Sequence, residues 1–205
     1  MLGTHPDLAY AVMQMVQQST NLTQEHLDKA LHICQYLITT CGYSLMYNGM
    51  TGSGITACTD SDWGADPETC HFQMGFYLKL ANGIFFWNSH LQKTTALSST
   101  EAEYMALSNC VCQVIWIKQM FGKLQVGYPI CGYNQGFIFM ANNPITERRT
   151  KHIPICYHFV HDAVTDQHIE IFYIGGTDNP ADMFTKNLGY IKFEQCRSQI
   201  SLVFN

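Results

Sequence analysis

The sequence predicts an α/β domain in which one sheet is flanked by helices and preceded by two N-terminal helices. Strand-length segments separated by turn signals fill residues 43–90. A long segment with helical periodicity then covers about residues 99–121. Strands and helices alternate after it, which gives the order β-β-β-α-β-α-β-α. A chain of 205 residues that is 47% hydrophobic is large enough to bury one core, so a single main domain is expected.

The two N-terminal helices are predicted from apolar stripes. The first stripe is formed by Ala9, Val12, Met13 and Val16. The second helix has Thr23 as its N-cap and repeats apolar residues at spacings of three and four. Its stripe consists of Leu27, Ala30, Leu31, Cys34, Leu37 and Ile38. We expect both stripes to fold back on the core or to mediate self-association, and we place the boundary between a helical segment and the main domain at 1–42 and 43–205.

Three sequential antiparallel strands are predicted in the first half of the main domain. They are ITACTDSDW (55–63), FQMGFYLKL (72–80) and IFFWNSH (84–90). The last two are separated by Ala81-Asn82-Gly83, a strong hairpin signal. A short strand, YSLMY (43–47), precedes them.

The second half of the main domain alternates between the two element types. A fourth strand is predicted within 129–139 and a helix over 151–165 that starts near Pro154. Residues 168–174 alternate as a strand, and 175–189 are predicted to open a last helix. Asp178 or Asn179 would cap that helix, with Pro180 in its first turn.

Composition narrows the function classes. A net charge of -5 excludes a protein that grips phosphate with its whole surface, so any nucleic-acid contact needs a local basic patch. The sequence has no apolar run of the roughly 18 residues that span a bilayer. Nine cysteines without paired CxxC spacing favour reduced thiols over a zinc site. We therefore expect a soluble intracellular protein, cytoplasmic or nuclear, with no membrane partner.

Three acidic residues stand where acids need an explanation. Asp60 lies inside a predicted core strand, where it either ends the strand towards water or binds a metal ion. Glu103 lies on the core-facing stripe of the long helix, where Thr100-x-x-Glu103 would also make a capping box. Asp182 opens the last predicted helix, where the helix dipole alone favours an acid.

Taken together, the three acids favour a metal site. A strand acid, a helix acid that faces the strand and an acid at the start of the final helix can converge on one point. Carboxylates held that close repel each other, and a divalent cation relieves the repulsion. Clustered acids with two metal ions are typical of phosphodiester hydrolysis.

Several segments resemble, in order and over nearly the whole chain, the ribonuclease H domain of copia-type LTR-retrotransposon Pol polyproteins with its preceding connection segment. Of these, ALSSTEAEYMAL is nearly diagnostic. The matching segments are GTHPDLAYAV (3–12), TDSDWGAD (59–66), ALSSTEAEYMAL (96–107), RTKHI (149–153), YHF (157–159) and ADMFTK (181–186).

The resemblance implies a ribonuclease H-like mixed five-stranded sheet and hydrolysis of the RNA strand of an RNA–DNA hybrid. It also implies two Mg²⁺ ions, with Mn²⁺ as a possible substitute. By position, Asp60 would bridge both ions, Glu103 would hold one and Asp182 the other.

The chain departs from the family at a fourth carboxylate. The family has an aspartate at the end of the fourth strand, and the flanking residues place Tyr133 at that position. A phenol is neutral at pH 7 and bulkier than a carboxylate. The departure implies weakened or lost metal binding and very weak or absent cleavage. Two alternatives to an impaired nuclease stay open, namely a catalytically dead nucleic-acid- or protein-binding module and a relic fragment without selected function.

A hybrid would need basic contacts on this acidic chain. The best cluster is Arg148, Arg149, Lys151 and His152, although a solvated helix entry explains it equally well. Lys93, just after the third main-domain strand, would touch phosphate from another side.

Overall fold

The structure is a computed structural model. It describes residues 4–19, 22–48, 54–63, 71–121, 129–132, 154–175 and 178–204. The strands are β1 (Tyr43–Leu45), β2 (Thr56–Asp62), β3 (Gln73–Leu80), β4 (Gly83–Leu91), β5 (Pro129–Gly132), β6 (Glu170–Tyr173) and β7 (Leu202–Phe204). The α-helices are α1 (Ala9–Gln17), α2 (Gln24–Thr39), α3 (Ser99–Met120), α4 (Pro154–Thr165) and α5 (Tyr190–Gln199). Two 3₁₀ helices are described, an N-terminal one at Pro6–Leu8 and a C-terminal one at Pro180–Phe184.

Five of these strands form one mixed sheet in the order β4-β3-β2-β5-β6. The β2–β3 and β3–β4 pairs are antiparallel, whereas β2–β5 and β5–β6 are parallel. The mixed five-stranded sheet that the resemblance implied is thus confirmed. Its centre is β2, the strand that carries Asp60.

The predicted hairpin joins β3 to β4. Ala81 and Asn82 form the turn with φ values of 49° and 65°, and Gly83 starts the next strand. Positive φ at both central residues is the geometry of tight hairpin turns whose twist matches that of the strands.

The sheet has helices on both faces. On one face, α3 and α4 bury apolar side chains against Ala57, Phe76 and Leu78. On the opposite face, Cys58 and Tyr77 contact Phe184 and neighbouring apolar residues of the C-terminal 3₁₀ helix and α5. Because side chains alternate along a strand, this division fixes the face to which each residue of β2 points.

Two predicted elements differ in detail. The YSLMY strand (β1) does not join the main sheet but pairs with β7 in a separate two-stranded antiparallel sheet. The segment predicted to open the last helix forms the C-terminal 3₁₀ helix, and α5 starts separately at Tyr190. Asn179 caps the 3₁₀ helix, as predicted, by accepting the Ala181 N–H at 3.1 Å.

The N-terminal helices attach to the core by only part of the predicted apolar surface. Helix α1 packs beside β4. Helix α2 docks through Tyr36, whose hydroxyl donates to the buried Asp7 at 2.6 Å and accepts from the Arg197 guanidinium of α5 at 3.3 Å. The predicted α2 stripe lies on the other side of the helix, so Leu27 and Leu31 are each 52% exposed. Of the two outcomes expected for this stripe, folding back on the core is not seen at Leu27 and Leu31, and self-association remains a prediction.

Candidate active site

Asp60 is a buried carboxylate in the middle of the sheet, with 1% of its surface exposed. Two groups from one short segment compensate it. The Thr185 hydroxyl donates to Asp60 Oδ2, and the Lys186 ammonium lies 3.1 Å from the same oxygen. A buried charge is costly unless it is paired and hydrogen-bonded, and these contacts meet both conditions.

Asp182 meets Asp60 at the same ammonium group. Lys186 Nζ lies 2.7 Å from Asp182 Oδ1, and Lys192 Nζ lies 3.9 Å from Asp182 Oδ2. Burial raises the pKa of Asp182, the hydrogen bond from Lys186 opposes that rise, and the Asp60 charge adds to it. The pKa of Lys186 is raised because the two aspartates outweigh the effect of its own burial. Two distant parts of the chain thus form an acid–ammonium–acid cluster.

Gly75 makes this cluster sterically possible. It pairs with Asp60 across β2 and β3. A Cβ atom at Gly75 would lie 2.5 Å from Phe184 Cβ and 3.0 Å from Thr185 Cγ2. The absence of a side chain therefore lets Phe184 and Thr185 approach the sheet closely enough for Thr185 to bind Asp60.

Asn179 fastens the start of the same segment to the sheet. Its Nδ2 donates to the Thr59 carbonyl at 3.0 Å while its Oδ1 caps the 3₁₀ helix. At the other end of that helix, the Ser89 hydroxyl donates to the Phe184 carbonyl at 2.6 Å. The loop that carries Asp182 is thereby held at both ends by strands of the main sheet.

Asp62 is a further carboxylate near the cluster. It lies two residues after Asp60 on the same strand, so its side chain points to the same face. Burial raises the pKa of Asp62, the Lys186 ammonium lowers it and the Asp60 charge raises it again, with a net increase. The cluster therefore holds more negative charge than Lys186 neutralises.

Glu103 is buried on α3, with 5% of its surface exposed. The capping box considered for it does not form, because Ser98 caps α3 by accepting the Glu101 N–H at 3.1 Å. Helix α3 packs on the face of β2 opposite to the one that Asp60 occupies. Within the described ranges, no group of three or more His, Cys, Asp or Glu side chains is arranged to hold a metal ion. The structure brings Asp60 and Asp182 together at Lys186, and Glu103 lies buried on α3.

The remaining predicted residues fall into two groups. Lys93 is exposed directly after β4, where its backbone N–H donates to Gln92 Oε1 at 3.3 Å. Tyr133, Arg148, Arg149, Lys151 and His152 lie outside the described residues.

Four residues of the cluster were missed at the level of sequence: Gly75, Asn179 as a sheet anchor, Thr185 and Lys186. A signal existed for Lys186, since it follows Asp182 by four residues and an acid–base pair at that spacing meets in a helical turn. Thr185 and Gly75 gave none, because their roles depend on the pairing of β2 with β3 and on the path of the C-terminal segment.

The chain has relatives of known origin. No protein-family model matches it. It is 33% identical over 208 residues to the retrovirus-related Pol polyprotein from transposon TNT 1-94 of Nicotiana tabacum, which covers 100% of this chain and 16% of the relative. It is 30% identical over 203 residues to the corresponding protein from transposon RE1 of Arabidopsis thaliana, which covers 97% of this chain and 14% of the relative.

Solved structures resemble the fold at low identity. LC11-RNase H1 isolated from compost superposes with a TM-score of 0.51 at 15% identity, covering 65% of this chain and 94% of that one. The foamy viral protease-reverse transcriptase in complex with an RNA/DNA hybrid gives a TM-score of 0.53 at 14% identity, covering 85% of this chain and 23% of that one.

The fold is that of a ribonuclease H-like domain. The sequence relatives specify it further: the chain belongs to the retrovirus-related Pol polyproteins of copia-type transposons. It spans only a small part of their length, about the share of one domain. Among the helices described, none combines the length and apolarity needed to cross a bilayer.

Proposed function

We propose that this domain derives from a nuclease that hydrolyses the RNA strand of RNA–DNA hybrids, and that the Asp60–Asp182 cluster is its active site. One observation carries the proposal: two buried aspartates from distant parts of the chain share a single positive group. A carboxylate pair of this kind is unfavourable as a packing device, because each buried charge costs more than an apolar side chain. The pair has a clear use as an anionic site that accepts a cation.

The donor set fits a divalent cation. Carboxylate oxygens are the ligands that Mg²⁺ and Mn²⁺ prefer, and the Lys186 ammonium shows that the space between Asp60 and Asp182 accepts positive charge. Asp60 and Asp182 would hold the cation, and we propose Glu103 as the further carboxylate on the basis of the family resemblance. When bound, the cation supplies stabilisation of the charge that develops on phosphate oxygens.

The residues of this chain have separate tasks in that scheme. Thr185 orients the Asp60 carboxylate by donating to Oδ2. Asn179 and Ser89 hold the loop of Asp182 against the sheet. Asp62 adds negative charge on the same face. These contacts fix the two aspartates before substrate arrives, which is how active sites avoid reorganisation during reaction.

We propose that cleavage is impaired because Tyr133 replaces the fourth carboxylate of the family. One anionic ligand fewer means weaker charge compensation for the cation. Loss of such an interaction costs roughly 10²- to 10⁴-fold in rate.

Recognition of the hybrid would depend on local basic residues, since the chain as a whole is acidic. We propose Lys93, Arg148, Arg149 and Lys151 as phosphate contacts. Contacts to phosphate release counterions, so affinity for the hybrid should fall steeply as salt rises. Binding that does not respond to salt would favour a protein partner instead.

The proposal is tested with a labelled RNA–DNA hybrid and the purified chain in Mg²⁺ or Mn²⁺. We expect weak cleavage confined to the RNA strand, with Asp60→Asn and Asp182→Asn abolishing it. The Lys79→Met variant is the matched control, because Lys79 binds the Gln199 carbonyl on the exposed surface. Cleavage that survives Asp60→Asn would contradict the proposal, whereas salt-sensitive binding without any cleavage would favour the binding module.

A further inference from the structure

Lys186 occupies an unusual place for a lysine side chain. Its ammonium lies 2.7 Å from Asp182 Oδ1, 3.1 Å from Asp60 Oδ2 and 3.4 Å from Asp60 Oδ1. The Asp60 and Asp182 side chains are 0% and 9% exposed, yet the Lys186 side chain is 33% exposed. A third of the lysine side chain thus borders solvent, whereas the two carboxylates that it contacts are buried.

This arrangement gives the ammonium a way out that the carboxylates lack. Asp60 is fixed on a central strand, and Asp182 belongs to a 3₁₀ helix held at both ends. The backbone N–H of Lys186 donates to the Asp182 carbonyl at 2.9 Å, which anchors the main chain independently of the ammonium. A flexible four-carbon stem can therefore move while the rest of the cluster stays in place.

Charge balance gives a reason for such movement. Asp60 and Asp182 carry two negative charges, and Asp62 adds a third on the same face. Lys186 and the more distant Lys192 supply two positive charges. A divalent cation would compensate both Asp60 and Asp182, and an ammonium left beside it would be repelled.

We infer that Lys186 is a built-in counter-ion of this site: it holds Asp60 and Asp182 together while no divalent cation is bound, and a bound cation displaces it. Lys186 thereby lowers the affinity of the site for cations and stabilises the cation-free fold. The inference rests on the proposed function, because it concerns the same carboxylate pair, but it does not require that the chain cleave anything.

The test compares Lys186→Met with the native chain by thermal unfolding in EDTA and in Mn²⁺, and by calorimetric titration with Mn²⁺. Methionine keeps most of the stem and removes the charge. We expect the variant to have a lower melting temperature than the native chain in EDTA and a larger increase in melting temperature on addition of Mn²⁺. We also expect it to bind Mn²⁺ about ten-fold more tightly. Lys192→Met is the matched control, since Lys192 lies 3.9 Å from Asp182 alone and should change each quantity less.

Each outcome decides the inference. An unchanged melting temperature in EDTA, or Mn²⁺ affinity equal to or weaker than that of the native chain, would overturn it. If Lys186→Met does not fold in EDTA, recovery of the fold by Mn²⁺ supports the inference and failure to recover overturns it. Lys186→Arg, which keeps the charge, should retain stability in EDTA and should not gain Mn²⁺ affinity. If Mn²⁺ displaces Lys186 in the native chain but the Tyr133→Asp variant cleaves no hybrid, the result would contradict the proposed function alone.

Discussion

Asp60 pairs directly with Gly75 across β2 and β3, and the space left by the missing Gly75 side chain is filled by Phe184 and Thr185. The catalytic candidate on the central strand and the loop that binds it therefore depend on one glycine. Glycine is needed at this position for its small size and not for its backbone conformation, because an added Cβ atom would overlap with Phe184 and Thr185.

Replacement of Gly75 by alanine should damage the site. The new Cβ would clash with Phe184 Cβ, which is part of the loop and cannot swing away as a side-chain tip can. We expect the free energy of unfolding to fall by about 1–3 kcal/mol, the range for overpacked cores. Gly189→Ala is the matched control, because nothing lies within 4 Å of that position. Denaturant unfolding measures both, and equal stability of the two variants would show that the loop does not need this gap.

The Thr185 hydroxyl should contribute more to the free energy of unfolding than the Thr185 methyl group. Thr185→Val keeps the shape but leaves Asp60 Oδ2 without its hydroxyl donor. Loss of a hydrogen bond to a buried charge should lower the free energy of unfolding by about 1.5–3 kcal/mol. Thr185→Ser keeps the donor and should lose clearly less, as measured by urea unfolding at neutral pH. A serine variant as unstable as the valine variant would assign the effect to packing instead.

His90 should resist protonation. It borders a groove of about 300 Å³ lined by Ala9, Val12, Met13, Val16, Asn88 and Ser89, none of them charged. Burial lowers the pKa of His90 below its ordinary value of 6.5. As the pH falls, the His90 imidazole is protonated in the unfolded chain before it is protonated in the folded chain. The free energy of unfolding therefore decreases from about pH 6.5 downward and stops decreasing below the folded-state pKa of His90.

An NMR titration of the His90 ring tests this expectation. Its midpoint should lie below 6.5, the ordinary pKa of a histidine side chain. His90→Gln should also lose less stability between pH 7 and pH 5.5 than the native chain. A His90 midpoint at or above 6.5 would contradict the burial of this ring beside the groove.

The exposed stripe of α2 should promote self-association. Leu27, Leu31 and Ile38 are 52%, 52% and 74% exposed and lie on the side of the helix away from Tyr36. Their spacings of four and seven are those of a helix-pairing seam. Leu31→Glu should reduce the apparent mass in sedimentation equilibrium, whereas His32→Glu, off the stripe, should leave it unchanged. If the native chain sediments as a monomer, as the Leu31→Glu variant should, the prediction of self-association is wrong.

Much of the fold was predictable because its signals are local. The Ala81-Asn82-Gly83 hairpin and the start of α4 near Pro154 follow from turn chemistry and proline geometry. Which of the two expected outcomes applies to the α2 stripe depends on a tertiary contact. Its apolar spacing was real, but the Tyr36 hydroxyl fixes the opposite side of the helix to Asp7 and Arg197.

The site was predictable in its acids and not in its arrangement. An acid inside a strand is anomalous at the level of sequence, and in the structure Asp60 and Asp182 contact the same Lys186 ammonium. The layer occupied by Glu103 depends on which face of β2 each helix covers. Strand length and side-chain alternation do not reveal which face of β2 a helix covers. They also do not reveal that Ser98, and not Thr100, caps α3.

The most direct test of the central claim is hybrid cleavage by the Tyr133→Asp variant in Mg²⁺, measured beside the Tyr133→Asp/Asp60→Asn double variant. The account predicts that restoring the carboxylate raises cleavage of the RNA strand well above that of the native chain, and that removal of the Asp60 charge abolishes the gain. A Tyr133→Asp variant as inactive as the native chain, or a double variant that still cleaves, would contradict it.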